Sequence, residues 1–129
     1  MILGIGVDVA PIVRVARLVE QHASELQRIF TPGERAFCDR APGRVRDVRY
    51  AAAFAGKEAA MKALGTGWRG DVTWCDIDTA SRDERGAIAL LGGALRAARD
   101  QGVSRVLISV STTRMAAVAA AIAERDGDE

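Results

Sequence analysis

Glu58 and Lys62 stand four residues apart in the run Phe54-Ala-Gly-Lys-Glu-Ala-Ala-Met-Lys-Ala-Leu-Gly-Thr-Gly67. On a helix that spacing puts an acid and a base on one face, with Phe54 and Met61 as bulky neighbours. Gly65 stands where a helix ending near Leu64 needs a left-handed residue. Thr66 and Gly67 then leave backbone N–H groups and a hydroxyl near the lysine, the makings of an anion site. Taken alone, an E-x-x-x-K-x-x-G pattern is first of all a solvated salt bridge followed by a glycine cap.

The elements that must position these residues can be read from both sides of the run. Ile2 to Val9 is apolar, β-branched and interrupted by glycine, so it reads as a buried first strand ending near Asp8. Pro11 suits the first turn of a following helix, in which arginines alternate with an apolar face. Thr31-Pro-Gly-Glu34 has the spacing of a capping box with Pro32 at N1, so a second helix starts there. Ala41 to Arg46 reads as a loop, and Asp47 as the N-cap of the helix that reaches Leu64. Beyond it, Val72 to Asp78, Ala87 to Leu91 and Val103 to Ser111 read as strands, with a short helix over Gly92 to Gln101. Met115 to Glu124 is contested, since its alanines favour a helix on propensity.

The chain has 129 residues, enough for one domain with a modest core. The apolar fraction is 49% but the aromatic fraction only 5%, so the core rests on alanine and buries little area per side chain. A net charge of +1 argues against a general nucleic-acid binder. No apolar run approaches membrane-spanning length. Cys38 and Cys75 form no C-x-x-C and follow no secretory leader, so they read as two thiols of a cytoplasmic protein. Residues 126–129 read as a loose tail on a single domain spanning 1–129.

The whole string F-A-x-K-E-A-x-x-K-A-L-G-T-G resembles the signature of the holo-acyl-carrier-protein synthase family, the small 4′-phosphopantetheinyl transferases. Gly4-Ile-Gly-Val-Asp8, Phe30-Thr-Pro-Gly-Glu34 and Ile108-Ser-Val-Ser111 resemble further motifs of that family, in the same order. The resemblance runs from about Ile2 to Glu124. It implies an α+β fold, a small, mostly antiparallel sheet packed on a long helix, and it makes Met115 to Glu124 a strand. It also implies a homotrimer with the site between subunits.

The implied reaction moves the 4′-phosphopantetheine arm of coenzyme A onto a serine of an apo acyl carrier protein, with Mg2+, releasing adenosine 3′,5′-bisphosphate. Asp8 and Glu58 match the metal ligands, and Lys62 matches the lysine beside the diphosphate. Lys57 is either a second phosphate contact or a helix-surface charge. Gly65, Thr66, Gly67, Ser111 and Thr112 fall where coenzyme A is bound. Arg14 matches a carrier-protein contact, and Arg17 and Arg28 share its face if the helix from Pro11 runs on unbroken. The general base is left open between Glu58, acting through a water, and another group.

Two departures stand out. Thr112 occupies the place of a histidine, and threonine cannot carry charge or move a proton near neutral pH. Ala53 replaces an arginine, for which Arg49, one turn earlier, is a candidate substitute. Gly86 stands where the family often has proline. The alternative these losses raise is a non-catalytic homologue that binds or scaffolds the carrier protein. A dinucleotide-binding reading of Gly4-Ile-Gly6 fails for want of the third glycine, where Val9 stands.

Overall fold

A computed structural model of the chain describes residues 1–68 and 70–127. Its elements run β1 (Ile2–Pro11), α1 (Ile12–Gln21), α2 (Leu26–Ile29), α3 (Pro32–Asp39), α4 (Gly43–Leu64), β2 (Ile77–Arg82), β3 (Ile88–Leu90), α5 (Gly92–Asp100), β4 (Arg105–Thr112) and β5 (Ala116–Glu124). β1, β5 and β4 form a three-stranded antiparallel sheet in that order, and β2 and β3 form a separate hairpin. The long helix α4 lies across one face of the larger sheet, as the α+β reading expects.

Small residues set the distance between helix and sheet. A Cβ added to Gly4 would lie 2.0 Å from the Ala63 carbonyl oxygen, and one added to Gly6 would lie 2.0 Å from that of Ala59. Only glycine lets β1 come so close to α4. The helix answers with Ala51, Ala55 and Ala59, and β5 with Ala117, Ala119, Ala121 and Ala123, all fully buried. Burial alternates along β5, so every second alanine packs inward at the strand period. Tertiary packing thus overrides alanine's helical preference, and the contested segment is a strand.

The capping box at Thr31 is formed: the Glu34 N–H donates to Thr31 Oγ1 at 3.1 Å, and the Thr31 N–H to Glu34 Oε1 at 2.8 Å. Other boundaries move. Helix α4 begins at Gly43 after the extended Pro42, so 43–46 is helix rather than loop and Asp47 lies inside α4 rather than capping it. Proline suits this boundary because the first helical N–H groups need no intrahelical partner. Trp74 to Asp76 is a 3₁₀ turn held by reciprocal Thr73 and Asp76 bonds, so the strand expected from Val72 starts only at Ile77. The helix from Pro11 ends at Gln21, and α2 is a separate piece.

Asp126 is not loose. Its N–H donates to the Ser104 hydroxyl at 3.0 Å, and its carboxylate pairs with Arg105. Gly127 follows it, and Asp128 and Glu129 lie outside the described residues.

Candidate active site

Asp8 leaves β1 on the face turned to α4, the same face as Gly6 and Ala10. Because Gly6 sits against Ala59 and the Lys62 Cβ, the next inward residue of the strand arrives beside Glu58 and Lys62. Lys62 Nζ donates to Asp8 Oδ1 and to the Val7 carbonyl, each at 3.0 Å. The lysine side chain is 52% exposed and that of Asp8 16%, so the pair opens to solvent at the lysine. Glu58 is half-buried next to them. Burial, then the charge of Asp8, raise its pKa; the Trp68 side chain and the charge of Lys62 pull it down. Three residues separated by up to 54 positions therefore form one cluster.

The fit to a divalent cation follows from that electrostatics. A half-buried carboxylate such as Glu58, repelled by a neighbouring one, is relieved by a shared cation. Among the described residues, no group of three or more His, Cys, Asp or Glu side chains could enclose a metal. Mg2+ needs no such cage, because it takes one or two carboxylates and fills its octahedron with water and substrate phosphate. Asp8 and Glu58 are the residues that would hold it.

Helix α4 closes as expected. Gly65 is left-handed at φ 71°, and its N–H reaches the Met61 and Lys62 carbonyls. Gly67 follows at φ 60°. The Thr66 hydroxyl is buried yet has no hydrogen-bond partner among the described residues. An orphaned hydroxyl inside a glycine corner, at the end of the helix that carries Lys62, is suited to an anion.

Lys57 is neither a phosphate contact nor a surface charge. Its side chain is 0% exposed and its ammonium lies 2.7 Å from Glu34 Oε1, with a second bond to the Ile77 carbonyl. The other oxygen of Glu34 accepts from the Thr79 N–H at 2.9 Å and the Thr79 hydroxyl at 2.6 Å. Both charges are saturated, and together they tie α4 to α3 and β2. Spacing places Lys57 on α4 without revealing what covers it.

Ser111 and Thr112 lie at the end of β4, beyond β5 from Asp8. Asp8 pairs with Ala119, and Ala119 with Val110. Two strand spacings, roughly 10 Å, separate β1 from β4. Ser111 shares the outer face with Val118 and Val9, and Thr112 the helix-facing side with Ala117. One chain therefore does not bring them to the acidic cluster.

Arg14 and Arg17 are exposed on α1 beside a groove lined by Leu18, Gln21 and His22. Arg28 leaves that face. The helix break at His22 sends it to α2, where the Cys75 thiol meets the Gln27 and Arg28 carbonyls. Arg49, the candidate substitute for the arginine missing at Ala53, lines one cavity with Ala53. It donates to the Phe37 carbonyl at 2.8 Å and stacks 4.2 Å over the Phe37 ring. Gly86 has φ 82°, which proline cannot adopt, so this turn takes glycine. Both cysteines are free, and burial pushes the Cys38 thiol up to about 12.

Residues 4–120 match the 4′-phosphopantetheinyl transferase superfamily. The chain is 41% identical over 126 residues to the holo-[acyl-carrier-protein] synthase of Solibacter usitatus, covering 96% of this chain and 99% of that protein. It superposes on the holo-[acyl-carrier-protein] synthase of Neisseria meningitidis with TM-score 0.78 and 36% identity, over 97% of this chain and 100% of the other. The holo-(acyl-carrier-protein) synthase of Bacillus anthracis, solved in complex with CoA (3′,5′-ADP), gives TM-score 0.75 and 30% identity over 98% and 99%. On sequence and architecture together, the chain belongs to the 4′-phosphopantetheinyl transferase superfamily.

Proposed function

We propose that this protein transfers the 4′-phosphopantetheine arm of coenzyme A to a serine of an apo acyl carrier protein. The observation that carries the reading is the convergence of Asp8, Glu58 and Lys62 beside the Thr66 corner. In this reaction the serine oxygen bonds to the phosphorus bearing pantetheine. The bridging P–O bond breaks, and adenosine 3′,5′-bisphosphate departs with the electron pair. Asp8 and Glu58 would hold Mg2+, which when bound neutralises diphosphate oxygens. Lys62 sets a positive charge where negative charge builds on the leaving phosphate. The Thr66 hydroxyl and the N–H groups of Thr66 and Gly67, which follow the capped Gly65, bind phosphate oxygens. The serine proton goes to a base, either Glu58 through a water or another group.

Arg14 and Arg17 offer guanidinium groups to an acidic helix of the carrier, by which the encounter is steered. The outer sheet face supports assembly of further copies into the expected homotrimer. Ile5, Val7 and Val9 are 64%, 54% and 57% exposed there, in register with Ile122, Ala120 and Val118. A patch of that kind marks an interaction surface. A neighbouring copy would also bring its own Ser111 and Thr112 to a site that one chain leaves without them. A cytoplasmic location agrees with this chemistry.

The test is intact-mass measurement of an apo acyl carrier protein incubated with this protein, coenzyme A and Mg2+. A gain of one phosphopantetheine arm, lost on chelation, is expected. No gain across fatty-acid and polyketide carriers would favour the non-catalytic homologue, to which the replacements at Thr112 and Ala53 point.

A further inference from the structure

Thr66 stands between two left-handed glycines, Gly65 and Gly67. Among the described residues, Thr66, Gly67 and Trp68 neither donate nor accept a backbone–backbone hydrogen bond. A glycine-bracketed segment without such bonds would sample many conformations unless side chains held it, and few of them gather its hydroxyl and N–H groups on one point. The side chains that hold it form a line. The Trp68 and Trp74 rings are stacked, with centroids 3.9 Å apart and 22° between planes. Trp74 in turn stacks on Phe54 at 5.2 Å and 28°. Phe54 is on α4, the helix that carries Glu58 and Lys62, and all three rings are half-buried.

Trp74 is a firm anchor because its own backbone is fixed. It lies in the 3₁₀ turn that Thr73 and Asp76 close with reciprocal bonds. Asp76 also accepts from the Ala94 N–H at 3.3 Å, which ties the turn to α5. Upstream, Arg96 donates to Asp71 at 3.0 Å, and a Cβ at Gly93 would strike the Asp71 carbonyl. The far end of the segment therefore rests on α5, while the end next to Thr66 is held by the Trp68 ring. A tryptophan does this at small entropic cost, since it has two side-chain rotors. We propose that Trp68 is a positioning residue for coenzyme A: stacked on Trp74, it keeps the Thr66–Gly67 corner in the shape that receives phosphate. A corner ordered before its ligand arrives loses less entropy on binding.

This rests on the reading of that corner as a phosphate cradle, and the experiment separates the two claims. Coenzyme A binding is measured by isothermal titration calorimetry, without carrier protein. The parent, Thr66→Val, Trp68→Leu, Trp68→Phe and the double variant Thr66→Val with Trp68→Leu are compared, and thermal unfolding is recorded for each. Trp68→Leu fills the space with an apolar side chain that cannot stack. It should weaken coenzyme A binding about tenfold, the size of one aromatic pair. Its unfolding temperature should stay near the parent's, with KM for the carrier protein unchanged. Trp68→Phe keeps a stacking face and should bind within about threefold of the parent. In the double variant the two losses should fall short of their product by about threefold or more, because the ring acts through the corner. Parent-like affinity in Trp68→Leu, with Thr66→Val impaired, would overturn the role of Trp68 alone. So would losses that multiply in full, or a Trp68→Phe protein no better than Trp68→Leu. A Thr66→Val protein that binds coenzyme A like the parent would overturn the cradle reading, and this proposal with it.

Discussion

Lys57 and Lys62 stand on the same helix and both pair with a carboxylate, yet their surroundings are opposite. Lys57 is sealed against Glu34, with every strong bond of the pair made inside the protein. Lys62 holds Asp8 at 3.0 Å but keeps half its surface in water, next to a second carboxylate. A saturated buried pair has no capacity left for a ligand, and breaking it strands a charge. An exposed pair contributes little to stability, and its charges can be reassigned to a substrate. Charge type is shared; what is left unsatisfied distinguishes structural from chemical work.

The comparison is broken most severely at the open cluster. Glu58→Gln should abolish Mg2+-dependent transfer, read by carrier mass, and unchanged turnover would remove Glu58 from the metal assignment. Its stability should move the other way. The pKa of Glu58 is raised on folding, so the stability it contributes is present below its unfolded pKa and lost as pH rises through the folded value. The neutral variant should therefore unfold no earlier than the parent at pH 7.

Lys57→Met probes the sealed pair. It should cost about 3–5 kcal/mol in urea unfolding, because Glu34 would remain charged and buried. A loss below about 1 kcal/mol would mean that the pair behaves like a surface contact. Gly6→Ala comes next, since its methyl would meet the Ala59 carbonyl oxygen. About 1–3 kcal/mol of overpacking is expected, with slower transfer as β1 moves from the helix bearing Glu58. The smallest effect is sought at Thr112→His, which should lower the KM for coenzyme A if that position meets the nucleotide in the assembled protein. An unaltered KM would mean that the position does not meet the nucleotide.

Much of this site can be read in the chain itself, because Glu58, Lys62 and Gly65 are set by helical spacing and capping. The Thr31 to Glu34 box is equally local, and the structure forms it. What escapes local reading depends on distant packing. The partner of Lys57 lies 23 residues upstream, so spacing could name its helix but not its burial. Arg28 was grouped with Arg14 because no proline or glycine marks the break at His22. The turn at Trp74 is legible in Thr73 and Asp76, which have the spacing of a capping box, although the β-branched run around them reads as a strand.

The most direct test of the division between the two lysines is Lys62→Ala, assayed for both unfolding and single-turnover transfer to an apo acyl carrier protein. The unfolding midpoint should shift by less than about 1 kcal/mol, as for an exposed ion pair. Transfer should slow by roughly 100-fold or more, the usual loss when a charge aimed at the transition state is removed. A parent-like rate from a folded Lys62→Ala protein would contradict the account.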